Sequence, residues 1–502
     1  MSRRLRILFV DTPYTNIIRG SCPPGEPTFV EANHPIGLLY VGTYVKKKLG
    51  DVDVRILGFK PSESEEGYYK KTKHMIYDFK PDIVGINAYT FTLYDAYQIA
   101  KIVKSKSPKT KVVFGGPNTS IYPSEMVNQP FVDAICMGDG EETFLEFVEK
   151  FETQDMYYVR GMWCKSDGDI LKNPARSVIS NLDTIPFPDR KLLVDPSIYI
   201  GSHVSSGYRK AEMISSRGCP YSCAYCQSRG KVYRFRSAKN VVDEMEYLLN
   251  DGYNFLQFWD DTFNIQVSRV KEICREIIRR NLQSKMKYRI RIVGNLVDEE
   301  MMELLKESGC DMIYIGVESA SDQFLRYVDR KISIEHCVRA IDLARKFRIE
   351  VMGYFMIGFP GETREDMEKT LQLMIKLPLS FMETSILTPM PSTPLYVKAI
   401  EEGKMDDWYR RYTISPWKNA WYKYYTELSP KEIYKIQKRI YFRFYFRPSY
   451  VLRLAVKSRN LNSFAARLKA AIKLFIWIIF GSYSDSDRAK KNSVFRRLFG
   501  IF

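Results

Sequence analysis

Three cysteines, Cys219, Cys223 and Cys226, stand in the run Ser216-Arg217-Gly218-Cys219-Pro220-Tyr221-Ser222-Cys223-Ala224-Tyr225-Cys226-Gln227 at C-x3-C-x2-C spacing, with no fourth cysteine nearby. Three thiolates can hold three irons of a cubane cluster and leave the fourth iron open. Clusters that only carry electrons usually have four protein ligands, so an open iron points to a bound substrate or cofactor. A structural zinc site is the competing chemistry, but zinc takes four tetrahedral protein ligands, and the nearest other candidates, His203 and Cys274, are isolated. Inert thiols are a third reading, since free cysteine often packs as a small hydrophobe. Three of them in eight residues, beside Gly218 and Pro220, argue against it.

The elements that must position this triplet follow from apolar periodicity. Short apolar runs at residues 255–259, 288–293, 312–317, 351–357 and 381–387 alternate with charged amphipathic segments such as 241–249 and 333–347. That rhythm predicts a parallel sheet with helices outside it. In parallel barrels reacting groups gather at the carboxyl ends of the strands, where Asp261, Glu318 and Gly358 fall.

The triplet resembles the signature of the radical SAM superfamily. Tyr225 sits where that family places an aromatic residue near the adenine. The runs Phe258-Trp259-Asp260-Asp261-Thr262-Phe263, Ile313-Tyr314-Ile315-Gly316-Val317-Glu318-Ser319 and Met356-Ile357-Gly358-Phe359-Pro360-Gly361-Glu362-Thr363 are similar to the ends of its second, fourth and fifth barrel strands. The resemblance implies a partial (β/α)6 TIM-type barrel and a 4Fe-4S cluster held by Cys219, Cys223 and Cys226. It also implies S-adenosylmethionine (SAM) chelated to the open iron and cleaved to a 5'-deoxyadenosyl radical. Carried over residue by residue, it makes Tyr225, Asp260, Asp261, Glu318, Ser319 and Gly358 the expected SAM contacts, Glu318 meeting the ribose or amino group. The bland role for each acid is a helix cap or a solvated loop residue. No residue is singled out as a catalytic acid, base or hydrogen relay.

Residues 1–150 carry a second α/β pattern, with strands expected at 5–10, 52–57, 83–87, 111–114 and 134–137. Glycines after these strands suggest a doubly wound, Rossmann-like sheet with a ligand crevice at its carboxyl edge. The turns Pro35-Ile36-Gly37, Val112-Val113-Phe114-Gly115-Gly116-Pro117-Asn118 and Met137-Gly138-Asp139-Gly140-Glu141 resemble the cobalamin-binding domain that precedes the barrel in cobalamin-dependent, class B-like radical SAM enzymes. That resemblance implies cobalamin contacts at Thr90, Gly115, Gly116, Asn118, Gly138, Gly140 and Glu141. Glycine pairs let a bulky planar ligand approach the backbone. The Asp-x-His-x-x-Gly motif of histidine-ligated cobalamin domains is absent, and His34, beside the Pro35 turn, reads as structural. Cys22, Cys136 and Cys164 raise a second cluster of the methylthiotransferase type; apolar strand context explains Cys136 and Cys164 by burial.

The expected organisation is a cobalamin domain over 1–150, a linker over 151–205, the barrel over 206–400, and a basic, aromatic-rich helical region over 401–502. A chain of 502 residues with 45% hydrophobic content suits several cores. Nine scattered cysteines do not make a secreted disulfide framework, and the N-terminus is too brief for a signal sequence. A cytoplasmic setting is expected. The net charge of +17 concentrates in residues 431–502, where 17 Lys and Arg face three acids. Aromatic and aliphatic residues interleave with that charge. Its longest apolar run, 474–480, is far short of the roughly 20 residues a spanning helix needs. Three roles compete: an interfacial membrane anchor, a helix docked on the barrel, and a nucleic-acid grip.

The implied activity is methylation of an unactivated carbon of a hydrophobic substrate, a lipid or isoprenoid, through the 5'-deoxyadenosyl radical and methylcobalamin, with flavodoxin or ferredoxin as electron donor. The alternatives are oxidative cyclisation, rearrangement or carbon–carbon coupling with the same cofactors, and an RNA-modifying enzyme whose basic tail grips RNA.

Overall fold

Strands form where β-branched and aromatic residues run together, and two parallel sheets result. The computed structural model describes residues 4–13, 32–61, 63–199, 208–405, 407, 426, 428–456, 471, 472 and 474–479. In the first sheet β1 (Leu5–Val10), β2 (Val52–Leu57), β3 (Ile83–Asn87), β4 (Lys111–Gly115) and β5 (Ala134–Cys136) are parallel. An antiparallel hairpin, β6 (Met162–Ser166) and β7 (Asp169–Lys172), extends it to give the order β2-β1-β3-β4-β5-β6-β7. Helices Ile36–Leu49, Glu65–Phe79, Leu93–Lys106 and the short Pro123–Val127 connect the parallel strands, and Gly140–Glu149 leads from β5 to the hairpin. This doubly wound order reverses direction between β1 and β3, so its crevice opens at their carboxyl ends. Cys136 and Cys164 are buried on neighbouring strands of this sheet, as their apolar context predicts. Cys22 and His203 lie outside the described residues.

A short ribbon, β9 (Ser216–Arg217) and β10 (Arg234–Phe235), brackets the cysteine triplet. Around it the second sheet follows chain order: β8 (Lys210–Met213), β11 (Phe255–Phe258), β12 (Lys287–Ile292), β13 (Cys310–Glu318), β14 (Glu350–Ile357) and β15 (Phe381–Ile386), all parallel. It is the partial (β/α)6 barrel. Helices Ala238–Asn250, Val267–Arg279, Glu299–Glu307, Ile334–Lys346 and Arg364–Lys376 pack outside it. All but Val267–Arg279 start at a side-chain cap, Ser333 and Thr363 each closing a reciprocal capping box.

An incomplete barrel leaves an edge, and the tail covers it. Helix Pro430–Tyr445 lies along β15, where side chains stand in for the missing strand. Tyr441 accepts from the Thr384 amide at 3.2 Å and Gln437 donates to the Thr384 carbonyl at 2.6 Å. Tyr445 both accepts from and donates to the Met382 backbone, and Tyr450 donates to the Ser380 carbonyl. An exposed edge would otherwise be a template for aggregation. Of the three roles open for the basic region, this helix takes docking on the barrel: Tyr441 and Phe444 are buried, whereas Phe442 remains 45% exposed. The stretch 495–502 lies outside the described residues.

Candidate active site

The cysteine loop is held by its backbone. Gly218 has φ +84°, and a Cβ there would stand 2.3 Å from the Val232 carbonyl oxygen, so only glycine lets the chain enter the loop. The Lys231 amide donates to the Cys219 carbonyl, Gly230 to Tyr221, and Cys226 to Cys223. The Ser228 amide points at Cys226 Sγ at 3.4 Å, and Thr262 Oγ1 lies 3.9 Å from Cys219 Sγ. Outer contacts fix the loop against the barrel: Ala224 donates to the Val328 carbonyl, and Tyr221 Oη to Asn295 at 3.1 Å. Among the described residues no three His, Cys, Asp or Glu side chains close on a single-ion position. Three thiols that each ligate a separate iron need only surround a cluster from outside.

Beside the loop stands a polar group that joins two of the expected residues. Glu318 ends β13 at a bulge with φ +69°, a strained conformation for any residue but glycine. Its carboxylate lies 3.3 Å from Arg330 Nη1 and accepts from Tyr225 Oη at 3.3 Å. Burial raises the Glu318 carboxyl above the usual range despite Arg330 and Tyr225, and burial likewise raises the Tyr225 hydroxyl. Arg330 also donates to Tyr225 Oη and to the Gly316 carbonyl, and its Nη1 lies 3.9 Å from Cys223 Sγ. A Cβ on Gly316 would sit 2.3 Å from Glu318 Oε1 and 2.8 Å from Arg330 Nη2, so a side chain there would displace this pair. Arg330 was not expected from sequence; it lies 105 positions from Tyr225, and no local pattern marks it.

The remaining barrel residues divide. Gly358, at φ +88°, is pinned by Glu362, whose carboxylate accepts from the Gly358 and Phe359 amides. Burial pushes the Glu362 carboxyl up to about 8 against those two hydrogen bonds. Asp261 is exposed at the mouth. Asp260, by contrast, is 1% exposed and commits both oxygens to the loop entry, accepting from the Ser215 amide at 2.7 Å and from the Ser215 and Ser216 hydroxyls. Ser319 is buried and accepts from the Ser321 amide. Asp260 and Ser319 thus both have hydrogen-bond partners within the scaffold.

In the first sheet the crevice is walled by backbone. Nothing lies within 4 Å of a Cβ built on Gly115 or Gly138, whereas at Gly116, φ +95°, a Cβ would press on the Ala88 backbone at 3.0 Å. Room beside two glycines and a forced glycine between them fit a broad planar ligand such as a corrin. Asp11, Thr12, Asn87 and Thr92 form a buried hydrogen-bonded floor at the ends of β1 and β3. Asp11 Oδ2 has no partner, and burial raises its carboxyl to about 7. Thr90 and Asn118 are buried and bonded to each other at 3.2 Å.

Two bridges bring crevice and loop together. Gln227, next to Cys226, donates to Thr90 Oγ1 at 3.3 Å and to the Pro391 carbonyl. Arg217, two residues before Cys219, forms ion pairs with Glu141 and, at 3.1 Å, with Asp139, while Arg234 also pairs with Asp139. Glu141 thereby clamps the loop, and Gly140 opens its helix with Val41 packed 3.0 Å from its Cβ position. Deeper in the interface His34 Nδ1 meets Glu212 of β8, and the His34 ring stacks on Tyr199 with centroids 4.4 Å apart. Lys210 and the His34 bond hold the Glu212 carboxyl at about 2 against desolvation. Burial lowers His34 against the opposing pull of Glu212, and its Nδ1 donates to the Glu212 carboxylate.

Known proteins share this layout. Residues 213–374 match the Radical SAM superfamily and residues 28–148 the B12 binding domain. The chain is 32% identical over 427 residues to the Uncharacterized methyltransferase PH0819 of Pyrococcus horikoshii, spanning 84% of this chain and 89% of that protein. It is 28% identical over 425 residues to the Anaerobic magnesium-protoporphyrin IX monomethyl ester cyclase of Rubrivivax gelatinosus, spanning 82% and 73%. The fold superposes on the cobalamin-dependent S-adenosylmethionine radical enzyme OxsB with a TM-score of 0.66 at 16% identity, covering 99% of this chain and 75% of that one.

Proposed function

The chain belongs to the radical SAM enzymes that carry a B12-binding domain, and on that premise we propose that it methylates an unactivated carbon of a hydrophobic substrate. Cys219, Cys223 and Cys226 would hold a 4Fe-4S cluster, the Glu318, Tyr225 and Arg330 group would receive SAM, and the crevice at Gly115, Gly116 and Gly138 would receive cobalamin. Together these cofactors supply reductive cleavage of SAM and delivery of a methyl group to carbon. Single-electron delivery from a flavodoxin or ferredoxin fits this chemistry.

The observation that carries the reading is the pair of bridges, Arg217 to Asp139 and Glu141, and Gln227 to Thr90, which set the cysteine loop against the crevice. Within the site the protein's own task is positioning. Arg330 keeps Glu318 and Tyr225 oriented beside the loop, and Glu362 fixes the Gly358 turn. Burial of Glu318 and Glu362, with Tyr225 half-buried, limits water on this side of the mouth, where it would quench reactive intermediates.

A lipid surface is the source of substrate that the tail favours. Phe442, Val451, Leu452, Ile472, Phe475 and Ile479 are each at least 42% exposed, and Phe446 links Phe442 to Phe475 with ring centroids 5.4 and 5.6 Å away. Basic residues surround this patch in sequence, as in helices that lie on anionic bilayers. No helix among the described residues is long and apolar enough to cross a membrane.

Protein purified without oxygen from cobalamin-fed cells tests the reading: about four irons and one corrinoid per chain are expected, with 5'-deoxyadenosine and a product heavier by one methylene on incubation with lipid extract. Corrinoid absent after reconstitution would sink the methylation reading. The likeness to the cyclase keeps a second reading, oxidation with the same cofactors, for which the product would be lighter by two hydrogens.

A further inference from the structure

The inner face of the barrel carries a cation that none of these contacts uses. On β12, Ile290 and Ile292 are buried towards the helices, so Arg289 and Arg291 project to the opposite, inner face. Arg289 is paired with Asp311 at 2.9 Å. Arg291, among the described residues, has no carboxylate within ion-pair distance, Asp261 feeling its charge only from farther off; its side chain bonds to the Tyr354 hydroxyl and its guanidinium lies over Trp259, 4.5 Å from the ring centre. A guanidinium stays charged at any working pH, and holding it half-buried without an anion is costly unless a ligand supplies one.

The surroundings describe what else that ligand would carry. Trp259 follows β11 on the same inner face and is left 36% exposed, a wide apolar surface inside the mouth. Tyr354 of β14 lies beside Arg291 and stacks on Tyr314 of β13, centroids 6.0 Å apart and planes 13° from parallel. Tyr314 Oη is tied to Gln257 of β11 at 3.0 Å, so the aromatic wall is fixed across the sheet. The cation beside Cys223 Sγ is a different one, Arg330, already engaged by Glu318.

We propose that the barrel takes a substrate with an acidic group, a carboxylate or a phosphate, which Arg291 engages through its planar fork while Trp259, Tyr314 and Tyr354 pack against an apolar body. A planar fork matches either anion bidentately, and a cation–aromatic pair suits an amphiphile with one charged end. The proposal rests on the methylation reading above and names the substrate class for that site.

Decyl phosphate, decanoate and decanol are the probes, titrated calorimetrically into the SAM-loaded holoenzyme. The wild type should bind the two anions at least about tenfold more tightly than the alcohol, equivalent to about 1.4 kcal/mol. In R291Q that preference should fall below about threefold, and in R291K, which keeps charge without the fork, it should be intermediate. The basic tail is common to all three proteins, so its own attraction for anions cancels. Equal binding of anions and alcohol by the wild type overturns the proposal, as does an anion preference that survives in both variants. A loss in R291Q confined to SAM affinity overturns it too, reassigning Arg291 to the SAM carboxylate. Failure of the wild type to form any 5'-deoxyadenosine would instead strike the radical SAM reading, which separates the two.

Discussion

At the carboxyl ends of β1, β3, β4 and β5 the crevice is lined by glycines and a hydrogen-bonded floor with one acid, Asp11, while Asp139 and Glu141 turn to Arg217; after β8 and at the ends of β11, β13 and β14 the chain presents thiols, acids and an arginine. The first rim is shaped by what is missing, the space beside Gly115 and Gly138. The second is shaped by partners, Glu318 with Arg330 and Tyr225, and Glu362 with two amides. Similar strand ends therefore serve two recognition strategies, steric fit in one sheet and electrostatic positioning in the other. Perturbing a residue of each kind should separate them.

The largest effect is expected where ligands cannot be replaced. Substituting Cys219, Cys223 and Cys226 by Ala should remove the cluster iron and lower 5'-deoxyadenosine formation by at least about a thousandfold, while corrinoid content stays close to that of the wild type. Corrinoid loss in the same protein would break the comparison, because the two rims would then not be independent. The converse variant is G116V. At φ +95° and with the Ala88 backbone 3.0 Å from the Cβ position, a branched side chain is strained and shifts the wall. Corrinoid affinity should fall by about tenfold or more, with iron content retained; tight corrinoid binding by G116V would show that the crevice does not rest on backbone fit.

These differences also decided what the sequence could reveal. The cysteine triplet is local, and the strands of the first sheet are continuous apolar runs, so both could be read directly. β8 escaped because Lys210 and Glu212 alternate with Ala211 and Met213, and inward charges erase the apolar run. Glu318 and Tyr225 were legible by resemblance, but their organiser Arg330 was not. Nor was Arg217, whose partner Glu141 lies 76 positions away, because ion pairs between distant segments leave no spacing to detect. For the tail, composition leaves three roles open, an interfacial anchor, a helix docked on the barrel and a nucleic-acid grip. Its tyrosines cap the β15 edge, a role that depends on an open barrel edge no local pattern announces.

The clamp between the rims gives a smaller effect. R217A leaves Glu141 and Asp139 with reduced compensation in a largely buried interface, where breaking an ion pair costs about 3 kcal/mol at most after allowing for partial solvent access. Arg217 sits two residues from Cys219, so the loop should shift relative to the crevice. The expected readout is coupling: 5'-deoxyadenosine released per methylated product should rise severalfold, about three to ten. A ratio equal to that of the wild type would make the clamp a stability element alone.

The smallest effect on turnover concerns protons, and here the rims behave alike. Asp11 beneath the crevice and Glu362 beneath the Gly358 turn are buried carboxyls, raised by desolvation to about 7 and about 8. Each has one oxygen without a hydrogen-bond partner. In the unfolded chain such groups ionise near pH 4, so between about pH 4 and these folded values the native state binds more protons than the unfolded one. Their contribution to stability is full below about pH 4 and is lost as the pH climbs through about 7 for Asp11 and about 8 for Glu362. D11N and E362Q cannot ionise and should each flatten that decline, raising Tm at pH 8 by a few degrees, about 2–4, relative to its value at pH 5. A wild-type Tm that rises between pH 5 and 8, with the slope unchanged in both variants, would mean that these carboxyls ionise normally. The floor of the crevice would then be charged, and the contrast with the barrel rim would shrink accordingly.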